Sequence, residues 1–301
     1  MRLASDDRVL NTIEYAKSLY LAADDANQRA ISGEILYSTA KLSNDRFMAF
    51  AASALPFVFV FKHDLDKHVR EVFEKTWQDN VGGNRAVTLY VKEITTLVSE
   101  NLESPLWDIK HTAALGIANA VTSLDPELDV VTSERVWPVL EKALAGKTWE
   151  GKEVVLKALV KFSGQAKRLW QEKKPLSDSM RVSVTFSPSL SFLCWENWNT
   201  DNTVKAIAIR EAKRNNATYR PHGLTALGGI AQARNDLDFM PDALSIVSGV
   251  LEEILGDEDE GDKMDIDSGS GHKSKYVYRP HTKQTKRFQL INSLGFVWEK
   301  R

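Results

Sequence analysis

The sequence has a single cysteine, Cys194, among its 301 residues. No intrachain disulfide can form, and a lone thiol fits a reducing compartment better than secretion. Residues 1–8 lack the apolar stretch of a signal peptide and contain acids too early for a transit peptide. We therefore expect a cytoplasmic and nuclear protein.

Long hydrophobic runs are also missing. The longest run, residues 47–61, covers about 15 residues and contains Ser53 and Pro56, whereas a bilayer requires roughly 20 apolar residues. The run predicts a buried helix pair, and we expect no membrane insertion.

Neither sign of charge is in excess, because 39 basic residues face 41 acidic ones and the formal net charge is -2. The broad attraction that non-specific nucleic-acid binding requires is therefore absent, and a nucleic-acid partner is disfavoured. A hydrophobic content of 43% supports a substantial core and excludes disorder for most of the chain.

The chain does contain a repeat. Trp107 and Trp149 lie 42 residues apart, and each begins a W-x-x-K pattern, completed by Lys110 and Lys152, before a stretch rich in alanine or leucine. HEAT and armadillo units recur at about 40–47 residues. Tyr219 takes the place of Trp107 in a weaker third copy 112 residues further on, which implies an intervening unit of unequal length.

Within one unit the apolar residues follow helical spacing. A helix through residues 113–121 precedes a turn and a second helix from about 133 to 145, and Gly146 lies where a helix C-cap is expected. A later stretch repeats this plan, with helices through 224–230 and 241–255. The sequence predicts an all-α fold, a HEAT/armadillo-like helical-repeat solenoid.

The composition divides the chain into three parts. Residues 1–255 form the predicted solenoid, interrupted at about 171–191 by a polar, proline-containing insertion in which strand-like alternation is too short to found a sheet. The acidic, Ser/Gly-rich segment 256–275 cannot bury enough apolar surface to order itself, so we expect a disordered linker. The basic tail, 276–301, ends in apolar residues suited to a terminal capping helix.

The closest match to a nucleotide-binding motif is the run from Ala145 to Thr148. It resembles the end of a phosphate-binding loop, yet the first glycine of that motif would fall at Glu141. A helix C-cap is the favoured interpretation. Cys194 has two neighbouring tryptophans and no marked cationic neighbour in sequence, which favours a buried structural thiol over a nucleophile.

The histidines do not form a metal-binding pattern. His63 and His68 are five residues apart, which directs them away from each other on a helix, whereas a helical zinc pair needs i and i+4. His111 and His222 are interpreted as polar residues near helix starts. We expect no catalytic residue, no cofactor and no metal ion.

Three stretches, residues 71–81, 107–110 and 144–153, resemble the large HEAT-repeat proteasome adaptor and scaffold family (the Ecm twenty-nine type). The Gly-Lys-Thr-Trp-x-Gly-Lys-Glu turn in the third stretch is the most specific, because generic HEAT packing does not require it. The resemblance runs with gaps over about 27–255 and is to the C-terminal region of a much longer protein, so we expect a fragment or a shortened gene model. We identify no clear counterpart for the insertion or for the tail after Gly256.

The resemblance implies a non-catalytic scaffold that binds proteasome core and regulatory particles, tethering them or monitoring their assembly. The residues at the family-motif positions, with a structural or partner-binding role, are Trp77, Trp107, Lys110, Gly146, Lys147, Trp149, Gly151 and Lys152. The fold alone also permits a nuclear transport receptor or the regulatory flank of a large enzyme.

The shared W-x-x-K pattern makes a structural prediction. Trp107 and Trp149 should occupy equivalent places, each buried at the start of the first helix of its hairpin, where truncation to alanine costs about 3–5 kcal/mol. The alternative is that one of them is an exposed docking aromatic of the kind enriched at binding hot spots.

Overall fold

The computed structural model describes residues 5–81, 83, 85–171 and 200–256. They divide into two compact units, one within residues 1–198 and the other within 199–301. The regular elements in these ranges are all α-helices, so the predicted all-α repeat fold is confirmed. None of the described helices is both long and apolar enough to cross a bilayer. Cys194, the predicted tail, and nearly all of the predicted linker and insertion lie outside the described residues.

Besides the helical residues 167–171, the described part of the first unit contains ten helices. They are α1 (Asp6–Ala22), α2 (Ala26–Leu42), α3 (Asn44–Ala49), α4 (Ala51–Phe61), α5 (Lys67–Asn80), α6 (Arg85–Leu89), α7 (Val91–Asn101), α8 (Trp107–Ser123), α9 (Val130–Ala143) and α10 (Lys152–Gln165). The helices predicted through 113–121 and from about 133 correspond to α8 and α9.

These helices alternate between two layers. Helices α1, α3–α4, α6–α7 and α9 form one layer, and α2, α5, α8 and α10 form the other; contacts between α4 and α7 and between α2 and α5 connect successive members of each layer. The second-layer helices begin at residues 26, 67, 107 and 152, at spacings of 41, 40 and 45 residues. The repeat seen from Trp107 onward therefore extends back through α2.

Aspartates start three of the helices. Asp25, Asp66 and Asp129 precede α2, α5 and α9, and each side chain accepts a backbone N–H from the first turn. Such a cap satisfies a donor that the helix itself leaves unpaired and contributes about 1 kcal/mol. The caps define where each helix begins after its turn.

Aromatic side chains from both layers fill the centre of the first repeats. The ring of Tyr20 lies 5.6 Å from Phe57, 4.3 Å from Phe61 and 5.4 Å from Phe73, measured between centroids. All four residues are buried. The helix pair predicted over residues 47–61 is confirmed as α3 and α4, and it supplies two of these rings.

The second unit contains α11 (Thr200–Ala212), α12 (Arg220–Ala233) and α13 (Met240–Gly256). Helices α12 and α13 confirm the two helices predicted there. Tyr219, the counterpart of Trp107 in the sequence repeat, is buried and precedes the first residue of α12. Its hydroxyl donates to Glu211 Oε2 at 3.0 Å, and Arg214 donates to Glu211 Oε1 at 3.1 Å. The unit thus encloses a fully buried, paired carboxylate.

Candidate protein-binding surface

The turn between α9 and α10 carries the most specific family motif, and its own residues close it. Gly146 and Gly151 have φ values of +76° and +104°, which residues with a Cβ atom rarely adopt. The ammonium of the buried Lys152 lies 3.3 Å from the carbonyl oxygen of Gly146 and 3.4 Å from that of Lys147. Glu153 accepts the Gly151 N–H at 3.0 Å. Gly146, Gly151 and Lys152 therefore shape the turn.

This turn follows the helix α9, whereas a phosphate-binding loop follows a β-strand. Gly146 lies two residues beyond Leu144, the C-cap of α9, and its positive φ is typical of the residues that end helices. The helix-end interpretation of the 145–148 run agrees with this geometry. Lys147 is exposed on the outside of the turn.

The Trp149 side chain docks the turn onto α8. Its ring stacks on the imidazole of His111, with centroids 4.1 Å apart and planes 7° from parallel. Trp149 is half-buried. A Cβ atom at Gly151 would lie 2.8 Å from the Trp149 ring, so the glycine provides the space that the ring occupies.

The prediction that Trp107 is buried is wrong, since its side chain is 68% exposed. Helix α8 begins at Trp107 itself, whereas α10 begins at Lys152, three residues after Trp149. The two tryptophans therefore occupy different positions relative to equivalent helices: Trp107 is the first residue of α8, and Trp149 lies three residues before α10. Trp149 lies in a turn that folds back over α8, while Trp107 projects from a helix start. The lysines differ likewise: Lys152 is buried, and Lys110 Nζ lies 5.6 Å from the centre of the Trp107 ring.

A buried ionic cluster holds the first turn of α8 in place. Arg29 of α2 donates from Nε to Asp64 Oδ2 at 2.9 Å, and one of its terminal nitrogens lies 2.9 Å from Asp108 Oδ2. The Tyr20 hydroxyl also donates to Asp64. Asp108 is the neighbour of Trp107, so the cluster connects the exposed tryptophan to helices of the two preceding repeats.

Burial and pairing set the protonation states in this cluster. Burial, reinforced by the Asp64 carboxylate, raises the pKa of the Tyr20 hydroxyl well above its ordinary value. Burial disfavours the charged form of Arg29, but Asp64 outweighs it and raises the pKa of the guanidinium. Sequence reasoning missed these residues because a lone arginine and two turn aspartates, 35 and 79 residues away along the chain, have no distinguishing local pattern.

Five residues of α8 and the α9–α10 turn make up an aromatic and basic surface that we call the Trp107 surface. They are Trp107, Lys110, His111, Lys147 and Trp149. The His111 ring connects the two tryptophans, since it lies 5.4 Å from Trp107 and stacks on Trp149. Aromatic residues beside cations are typical of protein-binding hot spots.

The imidazole of His111 is a neutral part of this surface at physiological pH. Burial lowers its pKa, Asp108 partly opposes this shift, and Lys110 adds to it. The positive charge of the surface therefore comes from the two lysines. The arrangement suits the binding of an apolar side chain next to an acidic one.

Trp77, another family-motif residue, belongs to the core. Its ring lies 5.1 Å from Phe59, and Lys62 Nζ lies 5.2 Å from both ring centres. The same ammonium is 3.1 Å from Glu74. Burial raises the pKa of Glu74, but hydrogen bonds from Lys62 and Gln78 hold it below its ordinary value. Trp77 is therefore a structural residue.

The remaining histidines are dispersed. His63 is half-buried and stands edge-on to Phe59 at 5.6 Å, while His68 is exposed in the first turn of α5 and His222 is exposed in that of α12. Within the described ranges, no group of three or more His, Cys, Asp or Glu residues is arranged to hold a metal ion.

The paired helices in two layers define a helical-repeat protein of the ARM/HEAT class. A family model described as ECM29, C-terminal ARM-like repeats, matches residues 193–293. The match includes residues after 256, so the earlier inference that this tail has no counterpart was wrong. The insertion at 171–191 lies outside the match.

Individual relatives agree with the family match. The chain is 23% identical over 236 residues to "Proteasome component ecm29" of Schizosaccharomyces pombe, which covers 78% of the chain and 12% of that protein. It is 25% identical over 170 residues to the human "Proteasome adapter and scaffold protein ECM29", covering 53% and 9%. A Drosophila melanogaster "Proteasome-associated protein ECM29 homolog" is 23% identical over 304 residues, covering 99% and 14%. The chain is thus similar to ECM29 proteins, and its matches to these three span only 9–14% of their length.

Proposed function

We propose that this chain acts as a non-catalytic adaptor that binds the proteasome, and that its repeats tether core and regulatory particles or monitor their assembly. The observation that carries the proposal is the similarity to relatives named as a proteasome component and a proteasome adapter and scaffold. Stacked helical repeats support it, because such solenoids offer extended surfaces to protein partners.

The contact to the proteasome includes the Trp107 surface. Trp107 is mostly exposed, yet its backbone is held by the first turn of α8, which the Arg29–Asp108 pair anchors. A large ring presented from a rigid support loses little conformational freedom when it binds. Lys110 and Lys147 add attraction for an acidic neighbour of the apolar residue that covers the tryptophan.

The test is a binding titration of the full chain against purified proteasomes, with Trp107→Ala as the main variant. Loss of a hot-spot tryptophan costs about 2 kcal/mol or more, which corresponds to a roughly 30-fold weaker interaction. Leu89→Ala is the matched control, because Leu89 is 71% exposed and lies on α6, in the other layer. Equal weakening by both variants would refute the Trp107 surface, and no binding by the unaltered chain would refute the proposal itself.

The same proposal assigns no reaction to this chain. We expect purified protein to show no ATP turnover, proteolysis or conjugation of substrates, because the chain's role is to present a binding surface. Reproducible ATP hydrolysis that co-purifies with the chain through two chromatographic steps would overturn this part. We also propose a cytoplasmic and nuclear location, which imaging of a fluorescent fusion tests directly.

A further inference from the structure

The turn between α11 and α12 and the helix ends that flank it carry positive charge. Residues 210–222, which we call the basic turn, contain four basic residues and one carboxylate, a net charge of +3. The carboxylate belongs to Glu211, which is fully buried, and Arg210 and Arg214 lie 2.9 and 3.1 Å from it. Lys213 is exposed, and the Arg210 side chain is 46% exposed. The basic turn therefore shows positive charge to solvent, while its negative charge lies inside.

The repeat indicates where α13 ends relative to this turn. Helices α11, α12 and α13 begin 109, 113 and 110 residues after α7, α8 and α9, so the two sets of three helices are equivalent. In the first set, Lys142 of the last turn of α9 lies 2.6 Å from Glu103, in the turn between α7 and α8. In the second set, α13 starts beside the first half of α11, where Lys205 lies 2.9 Å from Asp242. We therefore expect the end of α13 beside the basic turn.

The chain that leaves α9 shows what the equivalent chain after α13 meets. Trp149 is the sixth residue after α9, and it stacks on His111 in the second turn of α8. Six residues thus suffice to reach the start of the equivalent of α12. The six residues that follow α13 are 257–262, of which five are acidic and none is basic. The same path brings a net charge of −5 to the basic turn.

Charge complementarity and the tether to α13 both favour this acidic segment as the occupant. Opposite charges attract over about 8 Å at physiological ionic strength, and such docking requires no apolar surface, which residues 257–262 lack. A short tether keeps a ligand at an effective concentration in the millimolar range. A separate acidic chain would need a similar concentration to displace it.

We propose that residues 257–262 of this chain bind the basic turn and shield it from other acidic chains. The contact repeats the ionic contact between Lys142 and Glu103 with the signs of charge exchanged. The inference goes beyond proteasome binding and does not depend on it, because the Trp107 surface belongs to the first unit.

Zero-length carbodiimide coupling of the full chain at about 1 µM, followed by peptide mass spectrometry, tests the contact. Lys213 should couple to carboxylates of residues 257–262, and the yield should fall several-fold in 1 M salt, where charges are screened beyond about 3 Å. Lys157 is the matched control, because it is also exposed but lies on α10 in the first unit. Coupling of Lys213 to this segment no stronger than that of Lys157 overturns the proposal. Mixing isotope-labelled and unlabelled chains identifies links between copies, and links found only between copies overturn it as well.

Fluorescence anisotropy with a labelled hexaglutamate peptide tests the shielding. Amide substitutions of the four acids at 257–260 (Asp→Asn and Glu→Gln) remove the tethered competitor, so the full chain should bind the probe roughly ten-fold more tightly. Adding Lys213→Glu should abolish this gain, whereas adding Lys157→Glu, which changes the net charge equally, should preserve it. No gain on neutralising the acids, or a gain that survives Lys213→Glu, overturns the proposal.

Discussion

The substitution Asp64→Asn tests the ionic cluster that supports the Trp107 surface. The Asp64 side chain is fully buried, and that of Arg29 is 2% exposed. Asparagine keeps the shape of the side chain but removes the charge that offsets the guanidinium. Asp64 also accepts the backbone N–H of Asp66 at 2.8 Å, so the change also weakens the start of α5.

The expected loss follows from what remains around Arg29. Breaking a buried ion pair by removing one partner costs about 3–5 kcal/mol, because the other charge stays buried without compensation. Asp108 remains 2.9 Å from the guanidinium and compensates part of that charge. We therefore expect a loss near the lower limit, about 3 kcal/mol in the free energy of unfolding.

Chemical denaturation followed by circular dichroism measures this loss, and amide hydrogen exchange in α2 assigns it to the first unit. Glu127→Gln is the matched control: it breaks the exposed pair in which Arg168 Nε lies 2.8 Å from Glu127, and it should cost less than about 1 kcal/mol. The double variant Arg29→Met, Asp64→Asn should lose less than the sum of the single variants, because it removes the stranded charge.

Two results would refute the reasoning. If Asp64→Asn costs no more than Glu127→Gln, the buried pair does not hold the repeats together. If the two single variants add without coupling, Arg29 and Asp64 do not act on each other in the folded chain. In either case the support proposed for Trp107 would have to come from other contacts.

Two further predictions concern helix packing and pH. A Cβ atom at Gly223 would lie 2.4 Å from the carbonyl oxygen of Glu211, so Gly223→Ala should lower the free energy of unfolding by about 1–3 kcal/mol although alanine has the better helix propensity. Gly164→Ala is the control and should be neutral or stabilising, because a Cβ atom there has nothing within 4 Å. Equal effects of the two variants in chemical denaturation would contradict the prediction. Burial, with a smaller effect of Lys62, lowers the pKa of His63 from 6.5 to about 4. As the pH falls, the unfolded chain therefore binds the proton before the folded chain does, and the free energy of unfolding should fall by about 3 kcal/mol between pH 6.5 and 4. If the free energy of unfolding of His63→Gln changes with pH by the same amount, His63 is not the cause.

Local sequence patterns determined the helices of this protein. Apolar residues at helical spacing predicted α8, α9, α12 and α13, because such a stripe depends only on which side of one helix faces the core. The W-x-x-K repeat at Trp107 and Trp149 predicted the period, since equivalent helices recur at regular intervals. The Gly-Lys-Thr-Trp turn led to the family because its glycines and buried Lys152 serve one particular closed turn.

Only the tertiary structure decided which of these residues are exposed and which are paired. Helix α8 begins at Trp107, whereas α10 begins three residues after Trp149. Trp107 is therefore exposed, although its sequence pattern matches that of the half-buried Trp149. Arg29 and Asp108 meet across 79 residues, a distance at which sequence spacing carries no information about contact. The physical reason is that the repeats stack. The sequence of each helix specifies its own apolar face, but the neighbouring helices determine which residues contact that face and the charges beside it.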